Sequence, residues 1–348
     1  MSYLITGGCG FLGSNLAAEL LRQGRAVTVF DNLSRTGAEL NLNWLRSLGA
    51  VQFVRGDIRH PTDVEAVISS RKPDVIFHLA GQVAMTTSLQ SPRLDFEINV
   101  LGSINVLESV RQHCPKTAIV YSSSNKVYGD IPDLDLQETA TRYQPRCYPH
   151  GIAEAAPLDF HTPYGCSKGA ADQYVLDYAR CFGLNTVVFR HSTIYGSRQF
   201  ATFDQGWVGW FCRQALLVQS DPKREPFTIS GDGKQVRDLL HADDAVRCYL
   251  AAADHIDSAR GQAFNIGGGM SNSLSLLELF ARLEQKLGVS LTYTKLPWRT
   301  SDQRFFVADI RKAQQYLRWS PQVTSDQGID AVVSWEREMA VRLATAAA

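Results

Sequence analysis

The sequence predicts an α/β protein in which a doubly wound parallel sheet is joined to a smaller α/β C-terminal region. Three observations carry this. Through the first 190 residues, short β-branched or apolar runs alternate with longer helical periods, the pattern of strand–helix–strand units. Runs such as "AVTVF" and "DVIFHLA" are apolar on both faces, as a strand buried inside a parallel sheet must be. After residue 190 the rhythm breaks into stretches rich in Gly, Pro and aromatics.

Taken in order, strands are expected at 3–6, 26–31, 51–55, 75–79, 117–122 and 185–190. Helical periods lie between them at 12–22, 62–69, 94–112 and 164–182. "RHSTIYGSRQFATFDQGWVGWF" and "SDPKREPFTISGDGKQVRDLLH" read as loop-rich. A helix at about 242–253 and a strand at 263–266 read as a return to the first lobe. The expected division is residues 1–190 plus about 236–266 as one domain, and about 191–235 plus 267–348 as the other. There is no internal repeat or low-complexity linker, and the trailing "ATAAA" reads as a helix end.

Bulk properties narrow the function. A chain of 348 residues can bury a large core in two lobes. Lys plus Arg and Asp plus Glu are 35 each, so there is no basic excess for nucleic acid or an acidic membrane. No apolar run is long enough for a membrane span, and the start, "YLITGG", carries no leader-like segment, so a cytoplasmic protein is expected. The seven cysteines are scattered, never as C-x-x-C, and read as reduced thiols. Cys166 has no base beside it in sequence to make it a nucleophile. The eight histidines show no ligand spacing, so no metal is expected.

"LITGGCGFLGSNLAAELL" places Gly7, Gly10 and Gly13 between a strand and an amphipathic helix. Gly7 allows a tight turn, Gly10 a close approach of backbone to pyrophosphate, and Gly13 close helix–strand packing. The helix start, with Phe11 and Leu12, offers free N–H groups to phosphate. Asp31 ends the second strand, eighteen residues beyond Gly13, where a carboxylate accepts from both ribose hydroxyls and repels a 2′-phosphate. That favours NAD over NADP, although Arg35 lies nearby; Asn32 and Ser34 belong to the same stretch. Asp57 and Ile58 end the third strand, where Asp57 can meet the adenine. Leu79, Ala80, Gly81 and Gln82 follow the fourth, and Ser122 ends the fifth. All are carboxyl ends of strands, where an open Rossmann-type sheet binds its ligand.

"PYGCSKGAADQY" holds Tyr164 and Lys168 four residues apart, one face of a helix. Alone, that spacing is common by chance. It follows a strand-end hydroxyl cluster, "YSSSNKVYGD", and a dinucleotide turn, and that order resembles the extended short-chain dehydrogenase/reductase family. The resemblance spans nearly the whole chain. It implies that Ser124, Tyr164 and Lys168 are catalytic, with Tyr164 and Lys168 also against the cofactor. It further implies that Asn99, in the preceding helix, supports that site. Phenol has an ordinary pKa near 10, so a nearby ammonium and a positively charged nicotinamide are expected to favour phenolate. Ser124 is expected to hold the reacting oxygen.

Family dehydratases carry Asp-Glu after the strand-end hydroxyl; here Asn125 and Lys126 follow, leaving no acid–base pair for elimination. "AGQVAMTTS", "SSSNKVYGD", "QFATFDQGWVGW" and "FTISGDGKQVRDLLH" resemble the family's nucleotide-sugar 2-epimerases. That likeness implies oxidation at C2 of a CDP-linked deoxyhexose, rotation of the 2-keto sugar, and return of hydride by the same NAD. It also implies a pyrophosphate clamp from Arg237 and Arg299 and a nucleoside-ribose contact from Asp302. Ser124, Asn125 and Gln205 are expected to meet the sugar. "QGWVGWF" reads equally as a buried aromatic helix or a substrate wall, and His191 as a core histidine. A homodimer or homotetramer paired through helices 94–112 and 164–182 is implied by the likeness. A 4-epimerase or another isomerase of the family, and a non-catalytic NAD-binding sensor, stand as alternatives.

Overall fold

The computed structural model describes residues 1–131 and 134–347. Seven strands form one parallel sheet, in the spatial order Gln52–Arg55, Ala26–Asp31, Ser2–Thr6, Val75–His78, Ala118–Ser122, Asn185–His191, Gln262–Ile266. Strand ends agree with the expected ones to within one or two residues. Alternation along each strand makes two cores. Tyr3, Ile5, Val75, Phe77 and Val120 face one side, against the helices Phe11–Arg22 and Ala242–Asp254. Leu4, Ile76, Ile119 and Tyr121 face the other, against Pro61–Arg71, Gly102–His113 and Thr162–Phe182. Residues such as Ile5 and Ile76, at 0% exposure, each contribute about 1.5–3 kcal/mol of transfer energy.

Two helical expectations change in detail. The period at 94–112 is broken: Pro92–Phe96 and Gly102–His113 are α-helical, but Glu97–Leu101 between them is a π-turn. A further short helix, Met85–Gln90, lies within the stretch after the fourth strand.

The second lobe is less loop-rich than the sequence implies. Its core gathers Val208, Phe211, Leu279, Leu283, Ile329 and Val332 from the helices Trp207–Ser220, Leu276–Leu287 and Ser325–Ala347. Leu276–Leu287 is fixed at its start by a capping box between Ser275 and Glu278, and at its end by Gly288 in the left-handed conformation. The last alanine of "ATAAA" lies outside the described residues. Phe227–Ser230 pairs with Tyr293–Leu296. Val236–His241 pairs with Thr193–Tyr195, Ser273–Ser275 and Phe305–Phe306. This corrects the expected division: residues 236–241 are hydrogen-bonded into the second lobe, and the chain rejoins the first only at the helix Ala242–Asp254. The misreading has a simple cause, since the strand runs into that helix without a break in the sequence pattern.

Candidate active site

The order of the large sheet reverses between Ser2–Thr6 and Val75–His78, and a groove of about 670 Å³ opens there at the carboxyl ends of the strands. Gly7 sits at φ 68° and its N–H donates to Phe30 O at 2.8 Å. A Cβ on Gly7 would lie 2.7 Å from Ala80 N, and one on Gly13 2.2 Å from Gly7 O. No side chain caps the helix Phe11–Arg22, so its first-turn N–H groups are left for an anion in the groove. Asp31 accepts from Cys9 N at 2.9 Å and Leu33 N at 2.7 Å. Burial raises its pKa and those bonds oppose the rise. Each of its oxygens keeps a further lone pair for a ribose hydroxyl. Arg35 is exposed at the lip. Asp57 is the more committed carboxylate: it accepts from Arg59 at 2.7 Å and Asn32 at 2.9 Å. Burial would raise its pKa, but these bonds hold it well below the usual range. Every residue expected at the cofactor site lines this groove except Asn99. The cradle of glycines, the uncapped helix and the strand-end carboxylate fit NAD.

Asn99 supports the groove without lining it. It lies behind the wall, in the π-turn, with all its side-chain atoms engaged. Oδ1 accepts from Gln82 N at 2.9 Å, and Nδ2 donates to Gln82 O at 3.1 Å and to Ser167 Oγ at 3.0 Å. Asp95 accepts from Gln82 Nε2 at 2.9 Å and from the Ser167 hydroxyl. The π-turn therefore locks the Gln82 loop to the helix carrying Tyr164 and Lys168, a use typical of such turns. Asp95 and Ser167 were not read as site residues. Ser167 stood inside the quoted helix, but nothing in spacing distinguishes a buried hydroxyl anchor from an exposed serine.

Ser124 caps the 3-10 turn Asn125–Tyr128, its side chain accepting from Lys126 N at 3.2 Å. Tyr164 and Lys168 share a face at the start of Thr162–Phe182, with Pro163 in the first turn. All three are buried. Burial pushes the Tyr164 phenol up to about 12; the Ser124 hydroxyl beside it opposes the rise and Asp95 adds to it. The expected lowering by Lys168 is not seen, because that ammonium is turned to the Ser122 carbonyl and sits 4.7 Å above the Tyr121 ring. Burial draws Lys168 itself down to about 8, against the pull of Asp95 and Asp172. His191 is satisfied on both nitrogens, by Ser122 Oγ at 3.3 Å and Tyr249 OH at 2.8 Å, as a core histidine should be.

A second cavity of about 300 Å³ adjoins the groove, and Ser124 and Tyr164 line both. It holds every residue expected at the sugar nucleotide: Asn125, Gln205, Arg237, Arg299 and Asp302 besides Ser124. Arg237 donates to Asp302 Oδ1 at 2.8 Å and to Val236 O at 2.7 Å. Arg299 donates to Phe203 O at 3.2 Å and lies 4.8 Å above the Phe203 ring. Asn125 gives its amide N–H to Gln303 Oε1 at 2.7 Å. Trp207, Trp210 and Phe211 of "QGWVGWF" line the cavity while beginning a helix whose Phe211 is in the core. Sequence reasoning gave no role to Lys126, which stands half-buried in the same wall. It was noted only for not being the acid of a dehydratase. Among the described residues, no group of three His, Cys, Asp or Glu is placed to hold a metal, and no helix is long and apolar enough to cross a membrane.

Residues 3–267 match the family model described as the NAD dependent epimerase/dehydratase family. The chain is 58% identical to the CDP-paratose 2-epimerase of Salmonella typhi, across 96% of this chain and 99% of that protein. It is 31% identical to the UDP-glucose 4-epimerase of Mycolicibacterium smegmatis, across 97% and 99%. Among solved structures, the UDP-glucose 4-epimerase of Thermotoga maritima with UDP-glucose superposes with a TM-score of 0.83 at 29% identity, across 98% and 100%. The UDP-glucuronic acid 4-epimerase of Bacillus cereus with UDP-glucuronic acid and NAD gives 0.82 at 27%, across 97% and 100%.

Proposed function

This chain belongs to the NAD dependent epimerase/dehydratase family and is an NAD-dependent nucleotide-sugar epimerase, and we propose that it inverts C2 of a CDP-linked deoxyhexose, as a CDP-paratose/CDP-tyvelose 2-epimerase, through a transient 2-keto sugar. The observation that carries the choice of carbon and base is the 58% identity to a CDP-paratose 2-epimerase, against 31% to a 4-epimerase of equal coverage.

The roles follow from the junction of the two cavities. Bound NAD supplies acceptor and donor for the C2 hydride, and in its oxidised form a positive charge beside the phenol. Residues of the first lobe hold it: Gly7, Gly10 and Gly13 at the pyrophosphate, Asp31 at the adenosine ribose, and Lys168 at the nicotinamide end. Tyr164 holds and moves the proton of the C2 hydroxyl. Its own surroundings keep that proton on the phenol at neutral pH, since burial sets it at about 12. Ser124 donates to or accepts from the reacting oxygen from the strand end. In the second lobe, Arg237 and Arg299 clamp the pyrophosphate and Asp302 meets the nucleoside ribose, while Gln205 and the aromatic wall shape the sugar's space. The NAD-holding part is residues 1–190 with 242–266, and the remainder holds the nucleotide sugar. Exposed Phe96, Leu101, Tyr174 and Phe182 support pairing through those helices into a homodimer or homotetramer, and seven free cysteines support a cytoplasmic enzyme.

The test follows the hydrogen. A CDP-paratose substrate deuterated at C2 keeps its label in the epimer, read by NMR. Tyr164→Phe retains bound NAD while turnover falls by about 10²–10⁴. A product inverted at C4, or loss of label to solvent, overturns this reading.

A further inference from the structure

Lys126 carries no role so far. Its ammonium donates to Ser301 O at 2.8 Å and lies 3.9 Å from Asp302 Oδ1. Only 17% of the side chain is exposed. The charged groups facing it are Arg237, Arg299, Asp302 and Asp130. An ammonium has three N–H donors, and one goes to Ser301, so two remain for a ligand. Burial, and then Arg237, push it down to about 8, so at neutral pH it is a desolvated cation still charged.

The charge count of the wall gives this cation a purpose. Asp302 is paired with Arg237 at 2.8 Å. The two arginines are therefore left one positive charge short of the two negative charges on a sugar-linked diphosphate. Lys126 restores the match. Position says which phosphoryl group it meets. Lys126 leaves the backbone two residues from Ser124, on the same turn, and its ammonium reaches to Ser301 O and Asp302, so it spans the wall between the reacting hydroxyls and Asp302. In a nucleotide sugar C1 bears the glycosyl phosphate and is the neighbour of C2, whereas C4 lies across the ring. A C2 hydroxyl at Ser124 and Tyr164 therefore brings the sugar-linked phosphoryl group close to this turn.

Resting on the C2 reading above, we propose that Lys126 is a positioning residue that binds the phosphoryl group attached to the sugar and thereby sets C2 before Tyr164. Held there, that group is also the pivot about which the 2-keto sugar turns its other face, while Arg237 and Arg299 keep the nucleotide still.

The test separates the two phosphates. Titration calorimetry of the NAD-loaded protein compares CDP with CMP, which lacks the phosphoryl group in question. Lys126→Met keeps the length of the stem and removes the charge. It is expected to weaken CDP by about 10- to 100-fold, the range for a charge-assisted bond, and to leave CMP affinity, NAD content and melting temperature unchanged. Lys126→Arg restores the preference for CDP. Equal losses for CMP and CDP, or no loss for CDP, overturn the proposal. Turnover adds the positioning readout: kcat of Lys126→Met falls as well as KM rising, and a parental kcat overturns the positioning role. The same titrations with UDP and UMP keep the two readings apart. A diphosphate preference seen only with the uracil pair, and lost in Lys126→Met, supports Lys126's role while sinking the cytidine substrate.

Discussion

The dinucleotide groove is built round backbone at strand ends, where Gly7 and Gly13 make the closest approaches, whereas the adjoining pocket draws charged and aromatic side chains from four distant stretches, 124–126, 203–211, 228–237 and 299–302. The first is a site of shape. Gly7 and Gly13 are required there because backbone lies 2.7 and 2.2 Å from where a Cβ would be. The second is a site of charge, in which Arg237, Arg299 and Lys126 outnumber Asp302 and leave the wall positive for a diphosphate. Shape tolerates no single error, while a balance of charges degrades by steps.

The largest effect that this difference predicts is at Gly13. Gly13→Ala drives a methyl into Gly7 O, and neither partner can move without parting the helix from the turn. The variant is expected to be purified without NAD, measured by acid extraction and chromatography; full NAD content would break the comparison. Next come the guanidinium groups. Arg237→Ala and Arg299→Ala are each expected to weaken CDP by about 1.5–3 kcal/mol with NAD retained. Arg237 belongs at the upper end, because its loss strands Asp302 in the wall, and Arg299 at the lower, because it bonds Ser230 Oγ and Phe203 O and strands no charge. Calorimetric affinities in the reverse order would show that the stranded carboxylate does not rank them.

The last prediction concerns a buried charge behind the pocket. Asp238, next to Arg237 in sequence, is buried, which raises its carboxyl to about 6, although Gly269 N and Ala308 N donate to it at 3.0 and 3.3 Å. The folded state thus prefers it protonated. That contribution is whole below about pH 3.8 and is lost as pH rises through about 6, at most about 3 kcal/mol. Buried His78 and His191, held down to about 3 by burial and then Lys168, act oppositely, losing stability as pH falls below 6.5. The difference between parent and Asp238→Asn isolates the first term. Urea unfolding from about pH 4 to 7 is expected to show the parent's advantage shrinking with rising pH; a constant difference would remove Asp238 from the account.

The same contrast explains what the sequence made legible. Each piece of the groove is local: a strand, then its glycine or carboxylate, within a few residues. Gly7, Gly13 and Asp31 could therefore be read in order, and the Tyr164–Lys168 pair gained meaning from what preceded it. The pocket converges from far apart, and only family likeness reached Arg237, Arg299 and Asp302. Where likeness was silent, so was the reading: Lys126 stood beside a named residue and was passed over. Likeness gave Asn99 a supporting role but not its partners: Gln82, Asp95 and Ser167 come together only in the fold, through a π-turn that no 3.6-residue period announces. Residues 236–241 went to the wrong lobe because hydrogen-bond partners, not local pattern, decide which sheet a strand joins.

One stretch belongs to both cavities. Residues 192–193 and 204–207 line groove and pocket alike, and the chain between is tied to the first lobe by Asn15 Nδ2 to Ser197 O at 3.1 Å and by Arg198 over the Trp44 ring at 4.1 Å. A wall held in common makes the two occupants thermodynamic partners. Whatever steadies that wall from one side lowers the cost of ordering it for the other, and by linkage the factor is the same in both directions. If NAD and sugar each order that wall, the cofactor is held hardest while the sugar is in place, the interval in which losing it would strand a half-converted substrate.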